Sequence, residues 1–452
     1  MPLTRRKVIL GTPSLLTACV VARETGVGDS GTDDSGPTPT PERMPEPAEW
    51  TPPGTEDETA FAWGLQSGDV TDSSVILSVR STHTEVTLLV VEADGDGWTE
   101  HTRQVVTRSD ETVQVEVAGL QPDTAYRWIA LGPDDSRSRI GRFRSALAAD
   151  GWRVLQIGAT SCLGGNEPWP NLSFAAAADL DFFILDGDTV YADNATTIEE
   201  YRAYWRTAMS TEGLRALTAR TSVVATWDDH EVGNNWTRED LVDGQFEAAL
   251  QAYRESLPQR VGQTGGIWRK QSWGAVADVF VLDCRGEREP PDQYISPEQM
   301  DWVKAEVAAS TARFKLILTS VPISDFSDML GTSLEDDRWQ GYPTQRTEIL
   351  TALGSVPGVL WIGGDFHLAA VVEVDRPGSG GPAEGQWEVL VGPSGSPLNV
   401  LAELYEDTTG QFPILFAAWN YTRLRLDPGT GEVLVTFVGD DGGTLAEITL
   451  AL

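Results

Sequence analysis

Four short segments carry side chains whose types could do chemistry, and each follows an apolar run. Ser161-Cys162 comes after residues 153–157, and Asp186-Gly187-Asp188-Thr189-Val190-Tyr191 comes after 182–185. Trp227-Asp228-Asp229-His230-Glu231 follows 223–226, and Gly363-Gly364-Asp365-Phe366-His367 follows 359–362. Thiolate and phenolate suit ferric iron, carboxylates suit a hard cation, and imidazole serves in either metal binding or proton transfer. Any one segment is weak. A Gly-Asp at a strand end is commonly a turn, a lone cysteine is commonly a core thiol, and His230 could simply partner a neighbouring carboxylate. Four such segments at successive run ends argue for one site, because ligands in open α/β sheets bind beyond the carboxyl ends of the strands.

The elements that must position these segments read as two domains. Beyond Trp152 the apolar runs, with 315–318 as a fifth, alternate with helical stretches such as 297–309. That alternation predicts a layered α/β catalytic domain with buried strands over 151–452, closing on a hairpin of 422–426 and 432–437 joined by Asp427-Pro-Gly-Thr-Gly431. Between 61 and 147 the runs are short and β-rich (74–80, 85–91, 113–117, 126–130), with no competing helical period. Their spacing predicts a small fibronectin- or Ig-like β-sandwich. It holds no cluster of catalytic residue types, so it is expected to be a spacer or packing module.

The constellation resembles the alkaline phosphatase D family of metallophosphoesterases, from about Phe61 to the C-terminus. The likeness is densest in Ser-Cys, Gly-Asp-x-x-Tyr, Trp-Asp-Asp-His-Glu-Val-x-Asn-Asn (227–235) and Gly-Asp-x-His. Lesser matches include Gly64-x-x-Ser-Gly-Asp69, Leu282-Asp-Cys-Arg285 and Trp339-x-Gly-Tyr342. The resemblance implies a metallophosphoesterase fold and metal-assisted phosphoester hydrolysis, with Fe(3+) and Ca(2+) as cofactors and other divalent metals possible. Carried onto this chain, it implies that Cys162, Asp188, Tyr191 and His367 hold iron. Asp188 would bridge, with Asp229 and Asp365 on the calcium side. His230, beside Asp229, would contact the phosphate or protonate the leaving oxygen, so these two stand as the catalytic pair. Arg285 could bind phosphate by its planar fork or make a structural ion pair. Asp228 and Glu231 could orient the site or be exposed charges beside a turn. A histidine-rich di-zinc site does not fit: of four histidines, His83 and His101 fall in the sandwich, and Thr319-Ser-Val-Pro322 supplies none. Cys284 has no role and is expected to pack in the core. A phospholipase D-like phosphodiesterase and an inactive calcium-binding lipoprotein module are the competing readings.

Composition limits the partners. The 452 residues include 68 acidic and 33 basic side chains, a formal net charge of −35. That field repels nucleic-acid backbones and anionic bilayers, so no nucleic-acid binding is expected, and a phosphate site here needs a bound cation. Three cysteines cannot make a disulfide framework. At the N-terminus, Thr4-Arg5-Arg6 adjoins an apolar stretch, 8–16, that ends in Leu16-Thr17-Ala18-Cys19 and is too short to span a bilayer. Residues 1–19 resemble a twin-arginine signal with a lipobox, which implies lipidation at Cys19. Residues 20–60, rich in Gly, Ser, Asp and Pro, predict a flexible tether. The expectation is an exported monomer, held on the extracytoplasmic side through Cys19 and acting on a soluble or lipid phosphoester.

Overall fold

The computed structural model describes residues 40–109, 112–326, 329 and 335–452. The signal expected over 1–19, with Cys19, and the tether up to residue 39 lie outside them. Two buried blocks of parallel strands form the centre. Leu155–Thr160, Phe182–Asp186 and Val223–Thr226 pair in parallel in a nine-stranded sheet. Ala277–Val281, Phe314–Ser320, Val359–Gly363 and Trp387–Leu390 do so in a seven-stranded one. Successive side chains of a strand point to opposite faces, so a strand apolar throughout must be covered twice. Ile157, Ile184 and Val224 share one apolar cluster with Leu316, Leu318 and Ile362, which joins the two sheets face to face. The alternate residues Phe183, Leu185 and Ala225 lie instead with Leu172, Trp205 and Leu217 of the helices Pro170–Ala177, Ile198–Ser210 and Glu212–Arg220. Phe280, Ile317 and Trp361 are covered by Met300, Val303 and Leu350 of Pro297–Ala309 and Pro343–Leu353. The order of layers is helix, sheet, sheet, helix.

The helix starts are local chemistry. Thr197 accepts from the Glu200 N–H while the Glu200 side chain accepts from the Thr197 N–H, a reciprocal cap before Ile198–Ser210. Ser296 caps Pro297–Ala309, whose first residue is a proline that lacks an N–H no helical carbonyl could have accepted. The C-terminus departs from the expected hairpin. A third strand, Thr444–Ala451, pairs antiparallel with Glu432–Gly439 and forms the edge of the nine-stranded sheet.

The N-terminal strands do not stand apart from the α/β layers. Thr55–Glu56, Glu85–Asp94, Gly97–Thr107, Ala125–Leu131, Ser136–Arg137 and Gly141–Arg144 make a six-stranded sheet. Leu65–Gly68, Ser74–Arg80 and Thr112–Ala118 instead extend the nine-stranded sheet, with Gly68 opposite Val223 in parallel register. A Cβ at Gly68 would stand 2.2 Å from the Pro258 carbonyl oxygen, so only glycine permits this junction. Next to it, fully paired Asp69 and Arg269 lie buried at 2.8 Å.

For residues 40–60 the structure overturns the flexible tether. The Thr40 hydroxyl donates to Asp427 at 2.6 Å, the Val154 N–H donates to the Pro41 carbonyl at 2.9 Å, and Glu42 pairs with Arg425 at 2.8 Å. Trp98 Nε1 donates to the Ala48 carbonyl at 2.6 Å. A segment with no core of its own can still be ordered when its charges and carbonyls are taken up by a preformed body, which composition does not reveal. No helix among the described residues is long and apolar enough to cross a membrane.

Candidate metal centre

The backbone is strained where the strands end. Cys162, Asp188, Asp365 and His367 follow central strands with φ of 54°, 54°, 61° and 54°, Ser320 ends one at 50°, and Asn235 joins them at 52°. A non-glycine residue in this left-handed region costs of order 1–2 kcal/mol, so such positions persist only where the surroundings demand them. Here they aim side chains at one point. Gly187, with φ 85°, lets two ligand loops touch, since a Cβ there would lie 2.5 Å from the Asp228 Cβ. Gly164 leaves room for the Tyr191 ring, which would otherwise be 2.6 Å from its Cβ.

Three trios of ligand atoms result: Cys162, Asp188 and His367; Asp188, Asp229 and His230; Asp228, Asp229 and Asp365. Within each, the ligand atoms lie within 4.8 Å of one another, and Asp188 and Asp229 are each shared by two. The Tyr191 hydroxyl is 3.2 Å from both Asp188 Oδ2 and His367 Nε2. The structure therefore brings Cys162, Asp188, Tyr191 and His367 together on one side, with Asp229 and Asp365 on the other.

Electrostatics fit bound cations. Burial, then Asp188, drives the Cys162 thiol far up, and burial, then Asp188 and Cys162, does the same to the Tyr191 phenol. Burial, then Asp229 and Asp228, raises the Asp188 carboxyl well above the carboxylate range, and burial, then Asp228, does so for Asp365. Asp229 Oδ1 is buried with no hydrogen-bond partner. So many acids cannot ionise together in a dry site without compensating positive charge. Thiol, phenol, imidazole and carboxylate donors gathered in this way suit bound metal ions.

His230 stacks on Tyr191 with ring centroids 4.0 Å apart, and its Nδ1 lies 2.6 Å from Asp193. Burial opposes its charge, but the Asp193 bond and the fields of Asp229, Asp193 and Asp228 outweigh that and hold its pKa up at about 9. Glu231 is fully buried and accepts from three backbone N–H groups, Thr189 at 2.6 Å, Asp228 at 2.9 Å and Asp188 at 3.1 Å. It ties two ligand loops together and is not an exposed charge beside a turn. Glu231→Gln leaves one acceptor oxygen for three donors, so it is expected to lower stability by about 2–4 kcal/mol and to loosen both loops. Denaturant unfolding and metal titration of the variant check this; wild-type values for both would remove Glu231 from this part.

Arg285 corrects the phosphate-binding alternative. It is wholly buried, gives Nε and Nη2 to Asp228 at 2.7 and 3.0 Å, and binds Asp337 through Nη1. Its Nη2 stands 3.8 Å from Asp229 and 3.9 Å from Asp365. Wholly buried and with three of its N–H groups given to Asp228 and Asp337, it stands as the structural ion pair, placed behind the carboxylates. Asp228 also accepts from the Ser320 hydroxyl at 2.9 Å, so the histidine-free 319–322 segment still supports the site. Cys284 is fully buried in the helix-side apolar cluster.

Three residues went unassigned in the sequence reading. Asp193 follows Tyr191 by two positions and could have been suspected as a histidine partner. Asn235 closes the 227–235 segment; its amide lies 3.0 Å from Asp229 Oδ2 and 3.1 Å from Asp337 Oδ2, so its nitrogen can bond both carboxylates. Asp337 had no local signal.

This layered fold is metallophosphoesterase-like. The solved structure of PhoD superposes with a TM-score of 0.74 at 21% identity, covering 86% of this chain and 89% of that one. The purple acid phosphatase PPD1 from yellow lupin (Lupinus luteus) seeds gives 0.64 at 13% identity, covering 86% and 73%. The PhoD-like phosphatase family model matches residues 158–412, and the model for the PhoD-like phosphatase N-terminal domain matches 48–147. The chain belongs to the PhoD-like phosphatase family. It is similar to alkaline phosphatase D of Bacillus subtilis (strain 168), at 25% identity, with 68% of this chain and 64% of the relative covered. The chain thus spans a little under two thirds of that relative's length.

Proposed function

We propose that the chain hydrolyses phosphoesters at a centre in which Cys162, Asp188, Tyr191 and His367 hold Fe(3+) and Asp229 and Asp365 face Ca(2+). One observation carries the reading: a thiol-imidazole-carboxylate trio and an all-carboxylate trio are linked through a third trio that shares Asp188 with one and Asp229 with the other. When bound, the two cations supply Lewis acidity toward phosphate oxygens and acidify a nucleophilic water. The protein's own part is orientation and proton transfer. Asp193 occupies His230 Nδ1, so the other ring nitrogen is the one available to donate to the leaving oxygen. The Ala192 N–H to the His230 carbonyl, at 2.8 Å, ties this ring's segment to the Tyr191 loop. Arg285 holds Asp228 in place and so keeps the carboxylates of the hard-cation side oriented.

Exhaustive chelation is expected to abolish hydrolysis, and calcium to restore it, in protein whose elemental analysis shows iron. Full activity after calcium removal, with zinc the only metal recovered, overturns this centre.

Residues 61–147 are read as a fibronectin-like sandwich that shares one layer with the catalytic sheet. Export by a twin-arginine route, supported by Thr4-Arg5-Arg6, and lipid anchoring through Cys19, supported by Leu16-Thr17-Ala18-Cys19, complete the reading, with the chain taken as a monomer. Mass spectrometry of native protein is expected to find Cys19 as a lipidated N-terminus; a chain that starts upstream, or lacks lipid there, refutes the anchor.

A further inference from the structure

The strand Gly141–Arg144 carries Arg142 and Arg144 on one face, because side chains alternate along a strand. Its antiparallel partner Ala125–Leu131 sets Arg127 directly opposite Arg142 and Ala125 opposite Arg144. Like charges so placed repel, and two of these three arginines are answered locally. Arg127 binds Glu46, while Arg144 gives Nη1 to the Asp123 carbonyl at 2.6 Å and Nη2 to the Met44 carbonyl at 3.2 Å. Arg142 is not answered. It makes no hydrogen bond or ion pair with any described residue, and the same holds for the exposed Arg220. Burial, then the charges of Arg127 and Arg220, pulls the Arg142 pKa down to about 10. Arg144 is 5% exposed, and its Nε is buried without a partner.

Arg142, Arg144 and Arg220 line one cavity of about 80 Å³, room for several water-sized groups and so for one small oxyanion. The acids on its wall are already engaged: Glu46 by Arg127, Asp179 by Arg43, and Asp181 by Arg153 at 2.8 Å. Leu180 and Thr221, also in the wall, precede the strands Phe182–Asp186 and Val223–Thr226, whose far ends lead to Asp188 and Asp229. The cavity therefore lies a strand's length, roughly 15 Å, from the metal centre.

We propose that this cavity binds one tetrahedral oxyanion, with Arg142 and Arg220 as its charged forks and the Arg144 Nε–H as a further donor. Planar guanidinium forks fit phosphate and sulfate oxygens, and the bound ion supplies the negative charge that no side chain gives Arg142 and Arg220. The formal charge of −35 repels anions at long range, so recognition here acts by contact. The same chemistry is offered by free phosphate or sulfate and by the phosphate of an anionic lipid headgroup. A headgroup is a source to test because Arg43, in the same wall, follows the stretch that begins at the proposed anchor, Cys19.

Equilibrium dialysis of labelled sulfate against the metal-loaded full chain, at fixed ionic strength, tests the site. A sulfate is expected to stay bound in Asp188→Asn, which disables the distant metal centre. Arg142→Gln and Arg220→Gln are each expected to weaken it roughly tenfold or more, with phosphoester turnover unchanged as the sign of an intact fold. Arg142→Lys, which keeps the charge without the fork, should weaken it less. Undiminished binding in both glutamine variants, or no sulfate bound to Asp188→Asn, overturns the proposal. Flotation of a Cys19→Ala chain with phosphatidylglycerol vesicles, absent with phosphatidylcholine and lost when Arg142→Gln is added, assigns the oxyanion to a lipid headgroup. Sulfate binding without flotation assigns it to a free anion.

Discussion

Asp188→Asn is expected to lower kcat/KM by roughly 10³-fold or more, the scale at which a centre that supplies both nucleophile and charge neutralisation is lost. Asp188 belongs to two of the three ligand trios, so its loss strikes both sides of the centre. It also accepts from the Tyr191 hydroxyl at 3.2 Å and the His230 N–H at 3.4 Å. Asparagine keeps the shape but removes one charge from a cluster with Asp228, Asp229, Glu231 and Asp365. Burial and those neighbours hold the Asp188 carboxyl well above its unfolded value, so ionising it costs the metal-free fold stability at neutral pH. The metal-free variant should therefore melt higher than metal-free wild type, by a few degrees, while the gain in melting temperature on adding metal shrinks. Calorimetry with and without metal, alongside steady-state rates, checks both signs. Wild-type rates with an unchanged metal content would remove Asp188 from the shared position.

Cys162→Ala is expected to lose iron and with it activity by roughly 10²-fold or more, since ligand loss exceeds the 10–100-fold typical of groups that only support ligands. A thiolate and a phenolate on ferric iron should give a visible charge-transfer band, and the variant should lose most of it. Cys162 is fully buried with φ 54°, and burial, then Asp188, pushes its thiol up, so in the metal-free chain it stays protonated. The fold itself should suffer only the cost of a small buried side chain, about 1 kcal/mol, beyond the lost metal stabilisation. Iron content, absorbance and phosphoester turnover read this together. A variant that keeps its iron and hydrolyses normally would make Cys162 a core thiol.

What could be read before the structure was local. Apolar runs ending in Cys162, Asp188, Asp229 and Asp365 announce buried strands with polar termini, and helix 297–309 carries its own cap and proline. Arg285 shows the limit of such reading. Its type suits phosphate, yet Asp228 and Asp337 fill its fork, the latter from 52 residues along the chain. Asp193 was near Tyr191, but its partner His230 lies 37 residues on, and nothing local says which face of the turn each presents.

By itself the sequence determined the residue types at the strand ends, the alternation of strand and helix, and a charge that makes cations necessary wherever phosphate is held. These follow from side-chain chemistry and periodicity, which are properties of neighbours along the chain. Only the tertiary structure decided that Asp188 and Asp229 are each shared between trios, that Glu231 gathers three N–H groups, and that Leu65–Gly68 joins the catalytic sheet opposite Val223. It also decided that residues 40–60 are strapped to the body. Each depends on strand register and on which distant loops can approach within ångströms, as at Gly187 against Asp228, and close packing in three dimensions selects that arrangement.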